Sequence, residues 1–321
     1  MKNVVKKNLG IIFPFLLLLV LFVVFSIVNG QAFFNAYNIR SIISKMIPLT
    51  IGAFGLLFVV AQGSIDISTG ANLAFSAAVA GTLVGSLGVI PFMLLTIVIA
   101  AAVGFLNGVL VAHFKVPSIM VTIATMITLK SFQVMLTRGR LVSFHPSTLE
   151  LNKLEIRIII LLIATAVAIY LFSYSKIGYG AKFLGENEVA AAYVGLKTKW
   201  IKVIGFLIAG AFVGLAASLT SAQIGGLSSQ MGQGYELRLM MAVYVGGVPV
   251  EGGSKSSVAK VLVGALLISI LESGLIIANV GSENVALIQG ILLLASVALM
   301  IRAESRSAAD RAKAEVEVAA Q

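Results

Sequence analysis

Few ionisable or strongly polar residues stand inside the long apolar runs of this chain, and those few are where solute chemistry would have to occur. Glu272 lies deep in the run Val258–Asn279, with Ser269 and Ser273 on the same helical side. A carboxyl group there is expensive in a membrane and marks a candidate functional site. It reads equally as an interhelical hydrogen bond or as a protonated acid. Asp66 falls in the break AQGSIDISTG, Ala61 to Gly70, where it reads first as a helix cap and second as the lining of a cavity. Glu236 and Arg238 are two apart, so on one helix they do not face each other and must be matched by other segments. Asn72 and Asn107 are neutral amides, suited to hydrogen-bonding a hydroxylated solute or to joining helices. Asp66, Asn72, Asn107, Glu236 and Glu272 are therefore the candidate translocation-path residues, whereas Lys130, near Gln133, fits a lysine snorkelling to the outer surface.

Other chemistries find no support in the sequence. With no cysteine, disulfides, thiolate nucleophiles and thiolate metal sites are absent. His113 and His145 stand apart and read as loop residues rather than metal ligands, so neither a metal nor a cofactor is expected. There is no GxSxG or HExxH, and GGSK at Gly252 to Lys255 lacks the phosphate-loop spacing. The chain is thus not expected to be an enzyme or to hydrolyse ATP itself.

These residues must be positioned by membrane helices. Hydrophobic residues make up 59% of the 321 and charged ones 11%, well below the charge content of a soluble domain. The expected fold is all-α, a polytopic transmembrane bundle with about 10 crossings and broken half-helices, forming a single domain over residues 1–301. The net charge of +10 comes from Lys and Arg scattered among loop ends, without a basic stripe, which argues against nucleic acid. Membrane orientation explains it: with both termini inside, the cytoplasmic loops and tails collect most of these residues. Lys2, Lys6 and Lys7 followed by Leu9–Val28 imitate a secretory signal, but the run is too long and lacks a good cleavage site, so it reads as a retained first helix.

In order, Ile47–Ala61 opens at Pro48 and ends at the first break. Ala71–Gly88, rich in small residues, suits close packing in lipid. Ile90–Phe114 and Val116–Leu136 follow, then an outer loop from Arg138 to Lys153, and Ile156–Tyr174. The polar stretch 175–202 has a short helix, with Asn187 as cap and Gly195 as its left-handed end. Ile201–Ala222 leads to a second glycine-rich break, SAQIGGLSSQMGQGYE. Leu237–Gly247 is too short to span and reads as a half-helix. Val258–Asn279 and Asn284–Ile301 complete the bundle, before a charged cytoplasmic tail at 302–321 that is solvated and partly helical or disordered. Ala61-Gln62 matches Ala222-Gln223, and Phe105–Ala112 matches Leu271–Ala278. This suggests two pseudo-repeats, about 47–137 and 201–301. With five crossings between them the copies are inverted, a transporter signature.

Several stretches carry a family resemblance. AQGSIDISTGANLA, GENEVAAAYVGL, GQGYELRLMMAVYVGGVPVEGG and NGVLVAHFKVPSIMVTIATM resemble, in this order of quotation, the first break, the loop, the third motif and the fourth-to-fifth-helix region of permease subunits of bacterial ribose-type sugar ABC importers. Gln62, Ser64, Arg238, Met240 and Met241 depart from that pattern. The resemblance implies a cytoplasmic-membrane channel of two permease copies, identical or related, surrounded by lipid, with a cytoplasmic ABC ATPase and an extracytoplasmic solute-binding protein as partners. It places Gly185, Glu186, Asn187, Ala190, Ala191 and Gly195 on the loop that engages the ATPase. The implied cargo is a small hydroxylated solute such as a pentose or hexose. An autoinducer-like solute, a nucleoside or a branched-chain amino acid is the alternative within the superfamily. A self-sufficient secondary transporter is the alternative outside it.

Overall fold

The computed structural model describes residues 9–84, 86–138, 142–143, 146–228 and 230–319; His145 and the N-terminal lysines lie outside them. Helix α1 runs Leu9–Asn29, followed by a single turn at Gln31–Phe34. Helices α2 (Ala36–Ala61), α3 (Thr69–Val84), α4 (Val89–His113) and α5 (Ser118–Thr137) follow. After a 3₁₀ segment at Pro146–Asn152 comes α6 (Leu154–Ile169), whose last turn widens into a π-helix at Tyr170–Tyr174. Two short helices, α7 (Lys176–Glu186) and α8 (Glu188–Tyr193), lead to α9 (Thr198–Ile224), α10 (Tyr235–Val245), α11 (Val258–Ile277) and α12 (Ser282–Ala319). The strand content among the described residues is one antiparallel bridge, Val142–Ser143 with Gly226–Leu227, tying the loop after α5 to the end of α9. The protein is an all-α polytopic bundle. Among the described residues, seven helices are long and apolar enough to cross a membrane.

Two helices form the centre. In α2 and α9, 78% and 72% of the apolar window is buried, against 11% in α12. The first pair is surrounded by protein, and the last helix leaves its apolar side chains for lipid or another chain. Helix α2 begins a full three turns before Pro48, because Asn35 caps it by accepting from the Tyr37 amide at 3.0 Å. Pro48 is therefore an interior residue and not the opening. Its missing N–H leaves the helix one bond short in the middle, and its own carbonyl accepts from Tyr235 Oη at 2.7 Å.

Helices α4 and α9 cross backbone to backbone. A Cβ on Gly104 would fall on the Phe206 carbonyl and one on Gly210 on the Ala100 carbonyl, while Gly108 and Gly214 meet the backbones of Val203 and Ile97. Gly104/Gly108 and Gly210/Gly214 each repeat at i, i+4. Both helices thus present a small-residue groove, and backbones approach without side chains between them. A similar contact joins α10 to α11, where Gly264 packs on the Ala242 carbonyl and Gly246 on that of Lys260. At the opposite end of the chain's path, Ser273 donates to Asn38 Oδ1 at 2.5 Å and Asn29 Nδ2 to the Gly274 carbonyl at 2.9 Å, pinning α11 to α1 and α2.

Candidate functional site

The two helix breaks converge. Gly232 lies against the Gly70 carbonyl, and the Glu236 carboxylate lies over the Gly70 Cα. The N-terminal ends of α3 and α10 therefore meet. They do so halfway along their neighbours, since Tyr235 reaches Pro48 in the middle of α2 and Asn72 Nδ2 donates to the Ala100 carbonyl in the middle of α4 at 3.1 Å. Helix N-termini carry unpaired N–H groups and partial positive charge. Placed inside a bundle, a facing pair of such ends favours oxygen-rich or anionic groups, and Glu236 is positioned to benefit from that field.

Asp66 and Asn107 are brought together by Ser68, a side-chain oxygen of the same break. Asp66 Oδ1 accepts from the Ser68 amide at 2.8 Å and from Ser68 Oγ at 2.6 Å. Ser68 Oγ accepts from Asn107 Nδ2 at 3.0 Å, and Asn107 Oδ1 accepts from Thr125 Oγ1 at 2.7 Å. Asp66 thus closes the turn before α3 and does not cap the amides of α3 itself. The result is a buried polar ladder from the first break through α4 to α5. Asn72 is buried beside it, with its Oδ1 lacking a hydrogen-bond partner, so one acceptor in this region remains free for a donor. Gln133 donates to the Ser228 carbonyl at 3.1 Å, linking α5 to the second break, while Lys130 stays exposed.

Glu272 is not part of that ladder. It lines a separate small cleft between α2, α9, α10 and α11 and meets Arg238 Nη1 at 3.6 Å. Arg238 is therefore met by an acid on another helix, while Glu236, two residues away, feels its charge without forming an ion pair. Of the two serines on the side of Glu272, Ser269 bonds back to the Ala265 carbonyl and Ser273 turns to Asn38. Neither one touches the carboxylate. Nearby, Arg157 is fully buried and held by neutral oxygens, with Nη1 to Ser44 Oγ and Asn152 Oδ1 at 2.9 Å each. Arg157→Leu leaves Ser44 and Asn152 without this partner and is expected to lower stability by about 1–3 kcal/mol, measured as a drop in the thermal midpoint in detergent.

The polar loop forms a second site at the other end of the bundle. Ser175 caps α7 by accepting from the Ile177 and Gly178 amides, and Lys182 sits 4.5 Å over the Phe172 ring. Desolvation there lowers the pKa of its ammonium group. Asn187 ends α7 and starts α8, its Oδ1 accepting from the Ala190 amide at 2.9 Å. Gly195, at φ 83°, ends α8, with Leu196 N–H closing on the Ala191 carbonyl. Asn187→Ala removes that cap at about 1 kcal/mol, and faster hydrogen exchange at the Ala190 amide is the expected readout.

Gly185 and Glu186 face inward from this loop to the bundle. Gly185 packs on the Ala61 carbonyl, where α2 ends, and on Gly253. Gly253 N–H donates to that same carbonyl at 3.0 Å. Glu186 Oε1 accepts from the Ser254 amide at 2.9 Å and from Ser254 Oγ at 2.6 Å. The loop before α9, the first break and the loop after α10 are thus one junction. On the outward side, Val189, Tyr193 and Val194 are exposed, Tyr193 by 87%, while Ala191 is buried and Ala190 exposed. Sequence reasoning missed these three, although an apolar residue amid a lysine-rich loop is itself a signal. The described residues hold no group of three His, Asp or Glu able to bind a metal.

The chain was compared with known proteins. A family model described as the branched-chain amino acid transport system / permease component matches residues 38–297. The chain belongs to this permease family. The matched span includes both breaks, the polar ladder, the cleft and the loop junction. Among curated relatives of the permease, the ribose import permease protein RbsC of Haemophilus influenzae is 30% identical, covering 88% of this chain and 90% of that one. RbsC of Bacillus subtilis is 29% identical, covering 92% and 93%. The autoinducer 2 import system permease protein LsrC of Photorhabdus luminescens is 28% identical, covering 87% and 86%. A search of solved structures returns no significant match.

Proposed function

We propose that this permease is the membrane subunit of an ABC importer for a small hydroxylated solute, a monosaccharide, with ATP hydrolysed by a cytoplasmic partner. The observation that carries this reading is the meeting of the α3 and α10 N-termini halfway through the bundle. Broken helices whose ends face a site at mid-depth are the architecture of alternating-access transport. Near full-length similarity to import permeases, two of them for ribose, supports the solute class.

In this reading the single domain 1–301 crosses the membrane ten times, counting α1 and the two half-helices, with both termini and the tail 302–321 in the cytoplasm. The pseudo-repeats 47–137 and 201–301 are supported by their matching order: a long helix, a glycine-rich break, a short helix and two longer ones. Asp66, Asn72, Asn107 and Glu236 surround the path at mid-depth, and Glu272 lies toward its outer end. Residues 175–202 couple the path to the ATPase. Gly185 and Glu186 serve by seating the loop, Asn187, Ala190, Ala191 and Gly195 by shaping α8, and Val189, Tyr193 and Val194 by contact. A second permease copy, lipid and an extracytoplasmic solute-binding protein complete the assembly.

The test is reconstitution with the ATPase and binding protein in proteoliposomes. ATP-dependent, binding-protein-dependent uptake of labelled ribose or a related monosaccharide is expected. Uptake by the chain alone, driven by a proton or sodium gradient, would overturn the proposal. Tyr193→Asp places a charge where an apolar contact is needed. It is expected to leave membrane insertion unchanged and to cut co-purification of the ATPase at least tenfold; normal co-purification would remove α8 from the docking surface.

A further inference from the structure

The cleft that contains Glu272 has an unbalanced charge. Its lining includes Lys45 of α2, Gln223 of α9 and Arg238 and Glu272 of α10 and α11. Glu272 is the only acid in that lining, facing two cations. Its contact with Arg238, at 3.6 Å, is longer than the 2.7–2.9 Å or so of a hydrogen-bonded guanidinium–carboxylate pair, so the guanidinium fork is not consumed. Lys45 makes no ion pair or hydrogen bond among the described residues, although it is only partly exposed.

A third cation lies directly behind. Buried Arg157 contacts Gln223 Oε1 at 3.4 Å, which leaves the Gln223 amide nitrogen directed away from the arginine as a further donor. Charge inside a membrane bundle is retained where it has a partner, and even with Glu236, which lies two residues from Arg238 and within its field, two carboxylates leave one of these three cations unmatched. The cleft, about 80 Å³, has room for a carboxylate or phosphate group. Lys45, Gln223, Glu272 and Arg157 lie in the half of the bundle away from α7 and α8, and Arg238 lies at mid-depth beside Tyr235.

We propose that this cleft is an anion subsite of the permease, reading a carboxylate or phosphate carried by the solute, with Lys45 and Arg238 as its ligands and Glu272 competing for Arg238. The inference rests on the importer reading above and narrows its solute class to acidic monosaccharide derivatives, aldonates, uronates or sugar phosphates.

The experiment uses the full chain in phosphatidylcholine nanodiscs, free of anionic lipid, titrated calorimetrically with D-ribose, D-ribonate and ribose 5-phosphate. At least one charged probe is expected to bind tenfold or more tightly than ribose, and which one does so assigns the carboxylate or the phosphate. Lys45→Met and Arg238→Met should each weaken that binding at least tenfold in discs that remain monodisperse, whereas Glu272→Gln should keep or tighten it. Equal binding of ribose and both anions, no binding of either anion, or binding indifferent to Lys45→Met would overturn the subsite. The importer reading fails separately, through loss of ATP-dependent uptake, so neutral-sugar import without anion binding would leave that reading standing.

Discussion

Gly185→Val is expected to abolish ATP-driven uptake, by a factor of at least a hundred, while the chain still inserts in the membrane. A side chain at Gly185 would fall on the Ala61 carbonyl and on the backbone of Gly253. Neither obstacle is the flexible end of a side chain, so the loop can accommodate a Cβ only by lifting away. Overpacking of this kind costs about 1–3 kcal/mol where neighbours can adjust, and more where they are backbone. Lifting would also stretch the bonds of Glu186 to Ser254 and of Gly253 to Ala61. The junction then no longer ties the loop proposed to meet the ATPase to the segments proposed to form the path. Uptake and solute-stimulated ATPase activity in proteoliposomes are the measurements. Uptake within about twofold of the unaltered protein would show that the junction does not transmit movement. Gly185→Ala should fall between the two, which separates a graded packing effect from a failure to express.

Gly70→Val should have the other large effect, and on the folded state itself. Its Cβ would meet the Gly232 carbonyl and the Glu236 carboxylate together, at the point where the two half-helices touch. Gly232 has no room to retreat because its own Cα faces the Gly70 carbonyl. Its φ of 78° moreover belongs to the left-handed region favoured by glycine. The expected outcome is a thermal midpoint lower by several degrees, consistent with a loss of about 1–3 kcal/mol or more, and no detectable transport. Adding Glu236→Ala removes one of the two obstacles and should recover part of the stability but not the transport. Full recovery of both would mean that the half-helix ends do not need to meet.

How much of this was legible in the sequence depends on the range of each interaction. Local signals were clear. The Asn187 cap and the Gly195 stop involve neighbours a few residues away, and both glycine-rich breaks announce themselves by composition. The bundle class followed from hydropathy alone. Pro48 misled, because proline usually opens a helix, and here the Asn35 cap upstream and the packing of α2 at the centre override it. Long-range partnerships could not be read at all. Glu186 lies 68 residues from Ser254 and Tyr235 lies 187 from Pro48, and no periodicity connects them. The same holds for Glu272: its depth in an apolar run was visible, but that it shares a cleft with Lys45 and Arg238 is decided by which helices pack together.

The glycine grooves on α4 and α9 also bear on which boundaries in the bundle are able to slide. Where backbone rests on backbone, separation by even an ångström leaves a gap too narrow for lipid or side chain to fill, so that seam behaves as a weld and its two helices travel together. The boundary between α10 and α2 is of another kind: the phenol of Tyr235 is hung on one carbonyl, at the turn of α2 where proline has already removed an internal bond. A single hydrogen bond can be exchanged for one to water at little net expense. The parting line is expected at Tyr235 and Pro48: a disulfide engineered between α2 and α10 should stall uptake, while one between α4 and α9 should leave it running.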